Sequence, residues 1–310
     1  PLLPAAYPWA GQVRTPRGRT RTPPRVTGPR QSDDAVVVIG GSMSGAAAAT
    51  LLLRENPALR VLIVEKSAQF SRRVGEATVE VSSYFMGRVL GLTQYLNENH
   101  LVKQGLRFWF ANDEVQNLSE ASELGGRYQV RLPSYQLDRA AFDEEVLRRA
   151  ALAGAEVLRP ATVLEVELSP SSEQTITLQN GGEPLTIHAR WVVDASGVAA
   201  VLARKNGWFL PNHDHPTAAA WARWKGVGDW DSQELSDRYP EWAGAVYGIR
   251  GTATNHVVGD GWWSWWIPLR GGDVSVGVVF DQRLVDWPAE GRLGDKLKEF
   301  LLRHPVGREM

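Results

Sequence analysis

The feature that most constrains the fold is a strand, a glycine-rich turn and a helix near the start of the chain. Apolar residues 35–39 predict a buried parallel strand. Residues 40–45 read Gly-Gly-Ser-Met-Ser-Gly, and the Ala-rich segment 46–55 predicts a helix. A second apolar strand, 61–64, ends at Glu65. This order is typical of a βαβ unit that binds a dinucleotide at the helix N-terminus.

Each residue of this βαβ pattern has a separate task. Gly40 permits the tight turn, and Gly45 lets the helix lie close to the sheet. Ser42 stands where the usual Gly-x-Gly-x-x-Gly pattern has its second glycine, and its hydroxyl can donate to phosphate. Glu65, 25 residues after Gly40, can accept hydrogen bonds from an adenosine ribose. We predict a dinucleotide site; the alternative is a glycine turn in an unrelated βαβ unit.

Composition excludes several classes of protein. The 310 residues are 22% charged with a net charge of −1, which gives no reason to expect nucleic acid or a membrane as partner. The absence of cysteine excludes disulfides, iron–sulfur clusters and thiolate zinc sites. His213 and His215 lie in a polar loop with no third ligand evident, so no metal site is predicted. We expect a cytoplasmic protein.

The chain divides into three predicted parts. The Pro- and Arg-rich segment 1–34 predicts a disordered tail. We assign 35–205 to a dinucleotide-binding domain, with inserted strands around 105–135, and 206–310 to an antiparallel-sheet substrate domain. A helical pattern near the end leads to Met310 without a closing element, so we expect the substrate domain to be truncated.

Two segments suggest which dinucleotide binds. Residues 136–143, Gln-Leu-Asp-Arg-Ala-Ala-Phe-Asp, open a helix that reaches Leu152, on which Glu144/Arg148 and Glu145/Arg149 are expected to pair. Residues 191–197, Trp-Val-Val-Asp-Ala-Ser-Gly, predict a strand ending in a polar turn. With these motifs the chain resembles FAD-dependent enzymes of the aromatic-hydroxylase (glutathione-reductase-like) fold. The resemblance implies an α/β fold class: an FAD-binding Rossmann-like (βαβ) domain with an inserted or adjoining antiparallel β-sheet substrate domain.

Within that fold the sequence resembles the flavin-dependent halogenases of the tryptophan halogenase type. Residues 72–78, Arg-Arg-Val-Gly-Glu-Ala-Thr, match the strap beside their isoalloxazine ring. Residues 263–268, Trp-Ser-Trp-Trp-Ile-Pro, match their Trp-x-Trp-x-Ile-Pro motif. The segment 101–108 resembles the one that carries their catalytic lysine, here Lys103. The cofactor-binding residues implied by the two resemblances and the glycine turn are Gly40, Ser42, Gly45, Glu65, Arg72, Gly75, Glu76, Ala77, Arg139, Asp194 and Gly197.

The halogenase resemblance also implies a chemistry. Reduced FAD is a cosubstrate, O2 and chloride or bromide are substrates, and the product is hypohalous acid. Lys103 would direct that acid to an electron-rich aromatic substrate, free or tethered to a carrier protein, while the motif residues Trp263, Trp265, Ile267 and Pro268 keep flavin and substrate apart. A separate flavin reductase would supply the reduced cofactor. A second flavin turn and a glutamate that the family carries after the tryptophan motif do not occur before Met310.

Two other functions stay open. One is a flavin monooxygenase or reductase on the same fold that uses NAD(P)H directly. The other is a non-catalytic binding module or a broken gene product. Lys103 lies between Leu101-Val102 and the apolar segment 106–110, which favours a half-buried side-chain stem. The alternative is an exposed surface lysine.

The tryptophan-rich region predicts an antiparallel meander. Ten of the 13 tryptophans lie at positions 208–287, and the segments 255–259, 262–269 and 274–280 are separated by Gly-containing turns. In an extended strand, alternate side chains share a face. One face would therefore carry Trp263, Trp265 and Ile267, and the other Trp262, Ser264 and Trp266. The alternative is that these rings are core residues only.

Overall fold

The computed structural model describes residues 35–110, 114–170 and 173–310. The tail predicted at 1–34 lies outside the described residues. Within the described ranges, no helix combines the length and the apolar character needed to cross a lipid bilayer.

The strands are short to medium in length. In chain order they are β1 (Ala35–Ile39), β2 (Arg60–Val64), β3 (Leu101–Lys103), β4 (Leu106–Phe110), β5 (Ser122–Leu124), β6 (Ser134–Gln136), β7 (Glu156–Leu158), β8 (Thr162–Glu167), β9 (Gln174–Gln179), β10 (Leu185–Ala189), β11 (Trp191–Asp194), β12 (Thr217–Trp224), β13 (Thr254–Gly259), β14 (Trp262–Pro268) and β15 (Val274–Asp281).

The helices connect the strands or cover the sheets. The α-helices are α1 (Met43–Glu55), α2 (Glu80–Tyr84), α3 (Thr93–Asn99), α4 (Arg139–Leu152), α5 (Val201–Lys205), α6 (Gln233–Arg238), α7 (Pro240–Gly244), α8 (Leu293–Leu302) and α9 (Pro305–Glu309). A π-helical turn at Phe85–Val89 continues α2, and 3-10 turns occur at Leu118–Glu120 and Gly197–Ala199.

A parallel sheet forms the centre of the first half of the chain. Its strand order is β11-β1-β2-β7, and all three pairings are parallel. Alternate residues of β1 point to opposite faces. Val36 and Val38 pack with the helix residues Ala46 and Phe142, whereas Val37 and Ile39 pack with the antiparallel sheet β10-β9-β8. Both faces are therefore covered, which explains why β1 is apolar throughout.

A six-stranded sheet forms the centre of the second half. Its order is β12-β15-β14-β13-β4-β5, and every pairing is antiparallel except β13 with β4. One face is packed in a core that includes Trp109, Trp266 and Val278 of the sheet and Phe300 of α8. The sheet takes strands from both sides of residue 205, the boundary that the sequence predicts between domains.

The structure confirms the predicted fold class and the predicted meander. The helix 139–152 also forms, but one of its expected ion pairs is wrong. Glu145 binds both Arg148 and Arg149, whereas Glu144 binds Arg159, 15 residues further on. The Arg159 guanidinium, from the turn after β7, binds Glu144 in place of Arg148. The same guanidinium also packs over Phe70, at 4.7 Å from the ring centroid.

Candidate active site

The glycine turn lies where β1, β2 and β11 end side by side. Gly40 donates its N–H to the Val64 carbonyl at 2.8 Å and has φ of 99°, a conformation that favours glycine. A Cβ at this position would lie 2.5 Å from the carbonyl oxygen of Ala195. A Cβ at Gly45 would collide with the carbonyl oxygen of Gly40. Both glycines are thus required for close packing of the turn, as predicted from the sequence.

Ser42 and Glu65 flank this turn. Ser42 is the N-cap of α1, and its hydroxyl makes no capping hydrogen bond. The Glu65 carboxylate is buried and accepts backbone N–H groups of Gly41 and Ser67, each at 2.8 Å. Each carboxylate oxygen can accept more than one hydrogen bond. The carboxylate at the end of β2 therefore orders the turn, and its bond to a ribose stays a prediction.

The Asp194–Gly197 turn follows β11 at the same edge of the sheet. Asp194 accepts the N–H groups of Ser196 at 3.0 Å and Leu202 at 2.8 Å, so its carboxylate holds the turn against α5. Gly197 is exposed, with φ of 65°. The structure brings this predicted motif next to Gly40, as a shared dinucleotide site requires.

Arg139 links this region to the strap, which we define as residues 72–78. Its guanidinium donates to the carbonyls of Val74 at 3.2 Å and Gly75 at 3.4 Å, and to the Asp143 carboxylate at 3.0 Å. Asp143 in turn accepts the Met43 N–H of α1 at 3.3 Å. Arg139 therefore connects the strap to the N-terminus of α1. Arg72, by contrast, is largely exposed and pairs with Asp273 at 3.4 Å.

A buried carboxylate and a buried guanidinium join the strap to the six-stranded sheet. Arg223 of β12 donates to Glu76 Oε1 at 2.7 and 3.0 Å and to Asp138 at 2.7 Å. Burial is the main cause that raises the pKa of Glu76, and hydrogen bonds from Ser275 and Arg223 oppose it. The sequence pattern did not identify Arg223. The only sequence signal is that Arg223 is charged, on the same face as Trp221, in a strand whose other residues are mostly apolar.

Replacing Arg223 with methionine is expected to destabilise the protein by about 3 kcal/mol, because Glu76 would be left buried without its partner. Urea unfolding measures this change. The added substitution Glu76→Gln should recover much of the loss, since it removes the unpaired charge. Arg283→Met, which breaks a surface pair with Asp281, is the matched control and should change stability little. Equal losses in both single variants would contradict the account.

We define the tryptophan face as Trp263, Trp265 and Ile267, whose side chains share one side of β14, as predicted from the sequence. Trp265 and Ile267 are buried and pack with Ala77 of the strap. Pro268 ends β14 opposite Val274. The Trp265 indole crosses β15 at Gly277, where a Cβ would collide with it. Trp265 thus packs against both Ala77 of the strap and Gly277 of β15.

Lys103 lies at the end of β3 with only 2% of its surface exposed. Its Nζ donates to the carbonyl oxygen of Thr78, the last strap residue, at 2.8 Å. Burial lowers the pKa of Lys103 to about 8, and the negative charge of Glu80 opposes this shift. The expected half-buried stem is therefore a fully buried side chain. The amine is therefore mostly protonated at pH 7 and becomes mostly unprotonated above pH 8.

Lys103→Met is expected to stabilise the fold below pH 8, by up to about 3 kcal/mol, because burying the ammonium costs free energy there. Between the folded pKa of about 8 and the ordinary value of 10.5, the unfolded chain binds more protons. Stability of the wild type should therefore rise relative to the variant as pH increases from 8 to 10.5. Denaturant unfolding of both proteins from pH 6 upward checks this. A constant difference would contradict the lowered pKa.

His256 of β13 is a further polar residue of this region that sequence reasoning missed. Its ring stacks on Phe108 at 5.2 Å between centroids and meets Trp263 edge-on at 5.2 Å. Burial lowers the pKa of His256 to about 4, and the positive charge of Lys103 contributes in the same direction. The imidazole is therefore neutral at pH 7. Only the position of His256 between β4 and the tryptophan motif of β14 indicates that it belongs to this region.

Comparison with known proteins supports this interpretation of the fold. A family model described as FAD dependent oxidoreductase matches residues 35–236. The flavin-dependent halogenase chlA of Dictyostelium discoideum is 28% identical over 256 residues, which cover 74% of this chain and 40% of that protein. The flavin-dependent halogenase armH3 of Armillaria mellea is 26% identical over 236 residues, covering 74% of this chain and 43% of that protein.

Solved halogenase structures share the fold. Halogenase PltM, in complex with phloroglucinol and FAD, has a TM-score of 0.72 at 18% identity over 89% of this chain and 57% of that chain. The myxobacterial chondrochloren halogenase CndH has a TM-score of 0.71 at 22% identity, covering 90% of this chain and 60% of that chain. The chain spans less than half the length of the two curated relatives. Because the family model matches more than half of the chain, this protein belongs to the FAD dependent oxidoreductase family.

Proposed function

We propose that this chain forms the FAD-binding and halogen-directing part of a flavin-dependent halogenase that acts on small electron-rich aromatic compounds. One observation carries the proposal: a buried lysine amine, hydrogen-bonded to the last strap residue, adjoins the sheet face that bears the tryptophan motif. Lysine amines with a lowered pKa are nucleophilic. The halogenase relatives and the FAD-bound PltM structure support the same reaction class.

The glycine turn fits the pyrophosphate of FAD. Positions 40 and 45 lack room for a Cβ, and the N-terminus of α1 carries no side-chain cap. These features let a phosphate approach the backbone N–H groups at the positive end of the helix. Glu65 would accept hydrogen bonds from the ribose hydroxyls. Ser42, Asp194 and Gly197 border the same turn.

The strap and its anchors would position the flavin ring. Arg139 holds the carbonyls of Val74 and Gly75, while Arg223 holds Glu76. Ala77 packs on the tryptophan face. Reduced FAD, when bound, would supply two of the electrons that reduce O2 and halide would supply the other two, so that O2, halide and a proton would give hypohalous acid and water. Trp265 then excludes the organic substrate from the flavin side, so that oxygen transfer to the substrate is avoided.

Lys103 would receive the halogen. Its neutral amine attacks hypohalous acid, an N–halogen bond forms, one N–H bond breaks, and water leaves. The electron-rich aromatic carbon then takes the halogen, and its proton returns the amine to its starting state. Thr78 orients the amine through its carbonyl oxygen. A separate flavin reductase would provide reduced FAD, and the substrate would be free or held on a carrier protein.

Halide dependence tests this function. The protein is incubated with FAD, a general flavin reductase, NADH and phloroglucinol, with and without bromide. Consumption of phloroglucinol only when bromide is present is the expected result. Equal consumption without halide would contradict the proposal and favour a monooxygenase. Rapid reduction of the bound flavin by NADPH alone would favour an enzyme that uses the nicotinamide cofactor directly.

A further inference from the structure

The strap runs alongside β6, and β6 separates it from β3, the strand that ends at Lys103. Ala77 lies opposite Gln136 in an antiparallel bridge, and Ser134 lies opposite Lys103 in the β3–β6 pair. Val79 has an extended backbone, so continuing the bridge by two residues along each segment places it opposite Ser134. Because side chains directly opposite each other share a face, Val79, Ser134 and Lys103 form a row on one face of this layer.

The Lys103 side chain crosses β6 toward the strap. Its Nζ donates to the Thr78 carbonyl oxygen at 2.8 Å. That carbonyl can accept Lys103 because the Tyr135 N–H, which faces it across the strands, donates to the Thr78 hydroxyl at 2.9 Å instead. Ser134, which lies between, is small and fully buried, and leaves room for the lysine stem. The amine therefore lies beside the peptide group that joins Thr78 to Val79.

The surface that follows this peptide group is apolar and open to solvent. Val79 is 47% exposed, and Val81 and Tyr84 of α2 are exposed as well. These side chains are close in the chain to the carbonyl that holds the Lys103 amine. Exposed apolar side chains beside a reactive group are suited to hold an aromatic ring. This surface, rather than the far end of the six-stranded sheet, therefore adjoins Lys103.

One carboxylate lies at this surface. Glu80 is the first residue of α2 and is exposed between Val79 and Val81. Its side chain forms no hydrogen bond and no ion pair with another described residue. Its negative charge acts on Lys103, since it raises the pKa of that amine against the larger effect of burial. The Glu80 carboxylate is therefore accessible to a ligand and close enough to Lys103 to interact with it electrostatically.

We propose that Glu80 is a substrate-binding residue whose carboxylate accepts a hydrogen bond from the hydroxyl group of a phenol that packs on Val79. This inference rests on the proposed function, because it assigns the substrate class of that site. A hydrogen bond to a carboxylate is stronger than one between neutral groups, so the residue would select phenols over aryl ethers. The bond also increases the negative charge on the phenol oxygen, which makes the ring carbons ortho and para to it more nucleophilic toward the halogen on Lys103.

Binding, measured by calorimetry on the FAD-loaded protein without halide or reductant, tests the inference separately from turnover. The probes are phloroglucinol and its trimethyl ether, which cannot donate a hydrogen bond. We expect Glu80→Ala to weaken phloroglucinol binding about tenfold and to leave binding of the ether unchanged. Glu183→Ala is the matched control, because Glu183 is exposed in the turn between β9 and β10. It should change binding of neither probe.

A second variant tests where the ring lies. Val79→Thr keeps the shape of the side chain but replaces a methyl group with a hydroxyl. It should weaken binding of phloroglucinol and of the ether alike, by about threefold, because both rings lose apolar contact. The FAD content and melting temperature of each variant show that the fold is retained.

Several results would overturn the inference. These are phloroglucinol affinity unchanged in Glu80→Ala, equal weakening of both probes in Glu80→Ala, affinity for both probes unchanged in Val79→Thr, or absence of phloroglucinol binding to the wild type. Wild-type binding without halogenation would remove the proposed function and leave the assignment of Glu80 intact. Halogenation that is insensitive to Glu80→Ala in KM and in kcat would do the reverse.

Discussion

Lys103→Met is expected to reduce halogenation about 1,000-fold while FAD binding stays unchanged. The methionine side chain fills the buried space but has no amine to take the halogen or to bind hypohalous acid. Lys103 is tied to the strap by one hydrogen bond from its Nζ to Thr78, so its loss leaves the glycine turn and its phosphate-binding groups in place. Product formation is followed by chromatography, and bound FAD by its absorbance.

A matched lysine controls for nonspecific effects of the change to methionine. Lys298 of α8 is exposed and lies on the covered side of the six-stranded sheet, so Lys298→Met should leave the rate within about twofold of the wild type. Lys103→Arg keeps a positive charge but not a neutral amine, since guanidinium stays protonated. Halogenation that survives Lys103→Met would remove the lysine from the mechanism.

Gly45→Ala is expected to weaken FAD binding about 100-fold, which corresponds to about 2.7 kcal/mol. An added Cβ would collide with the Gly40 carbonyl and push the start of α1 away from the turn. The N–H groups that would meet the pyrophosphate would then be displaced. Titration of the apoprotein with FAD gives the dissociation constant directly.

Gly182→Ala is the matched control for that substitution. Gly182 is exposed, and an added Cβ at this position would have nothing within 4 Å. FAD affinity and melting temperature should therefore match the wild type. If Gly45→Ala binds FAD as tightly as Gly182→Ala, the turn does not hold the pyrophosphate as described.

The parts of the site that follow from local sequence could be predicted well. β1 begins and ends where its apolar run does, and the tryptophan face follows from strict alternation in β14. The glycine turn is recognisable because backbone packing tolerates no Cβ at its two key positions. The role of Lys103 was predicted from resemblance, but the sequence underestimated its burial.

The parts that depend on contacts between distant segments could not be predicted. Arg223 and Glu76 are 147 residues apart, and nothing in either segment indicates the other. The partner of Glu144 is another example, because a helix pattern cannot show that Arg159 reaches it from a different turn. His256 belongs to the same class, since its neighbours come from β4 and β14.

Product analysis in isotopically labelled O2 tests the central claim, that a flavin-dependent halogenation takes place, most directly. The protein is supplied with FAD, a flavin reductase, NADH, bromide and phloroglucinol, and the products are examined by mass spectrometry. The expected product has the isotope pattern of bromine and no labelled oxygen. A product that gains labelled oxygen and no bromine would contradict the account, because the substrate would then have reached the flavin side of Trp265.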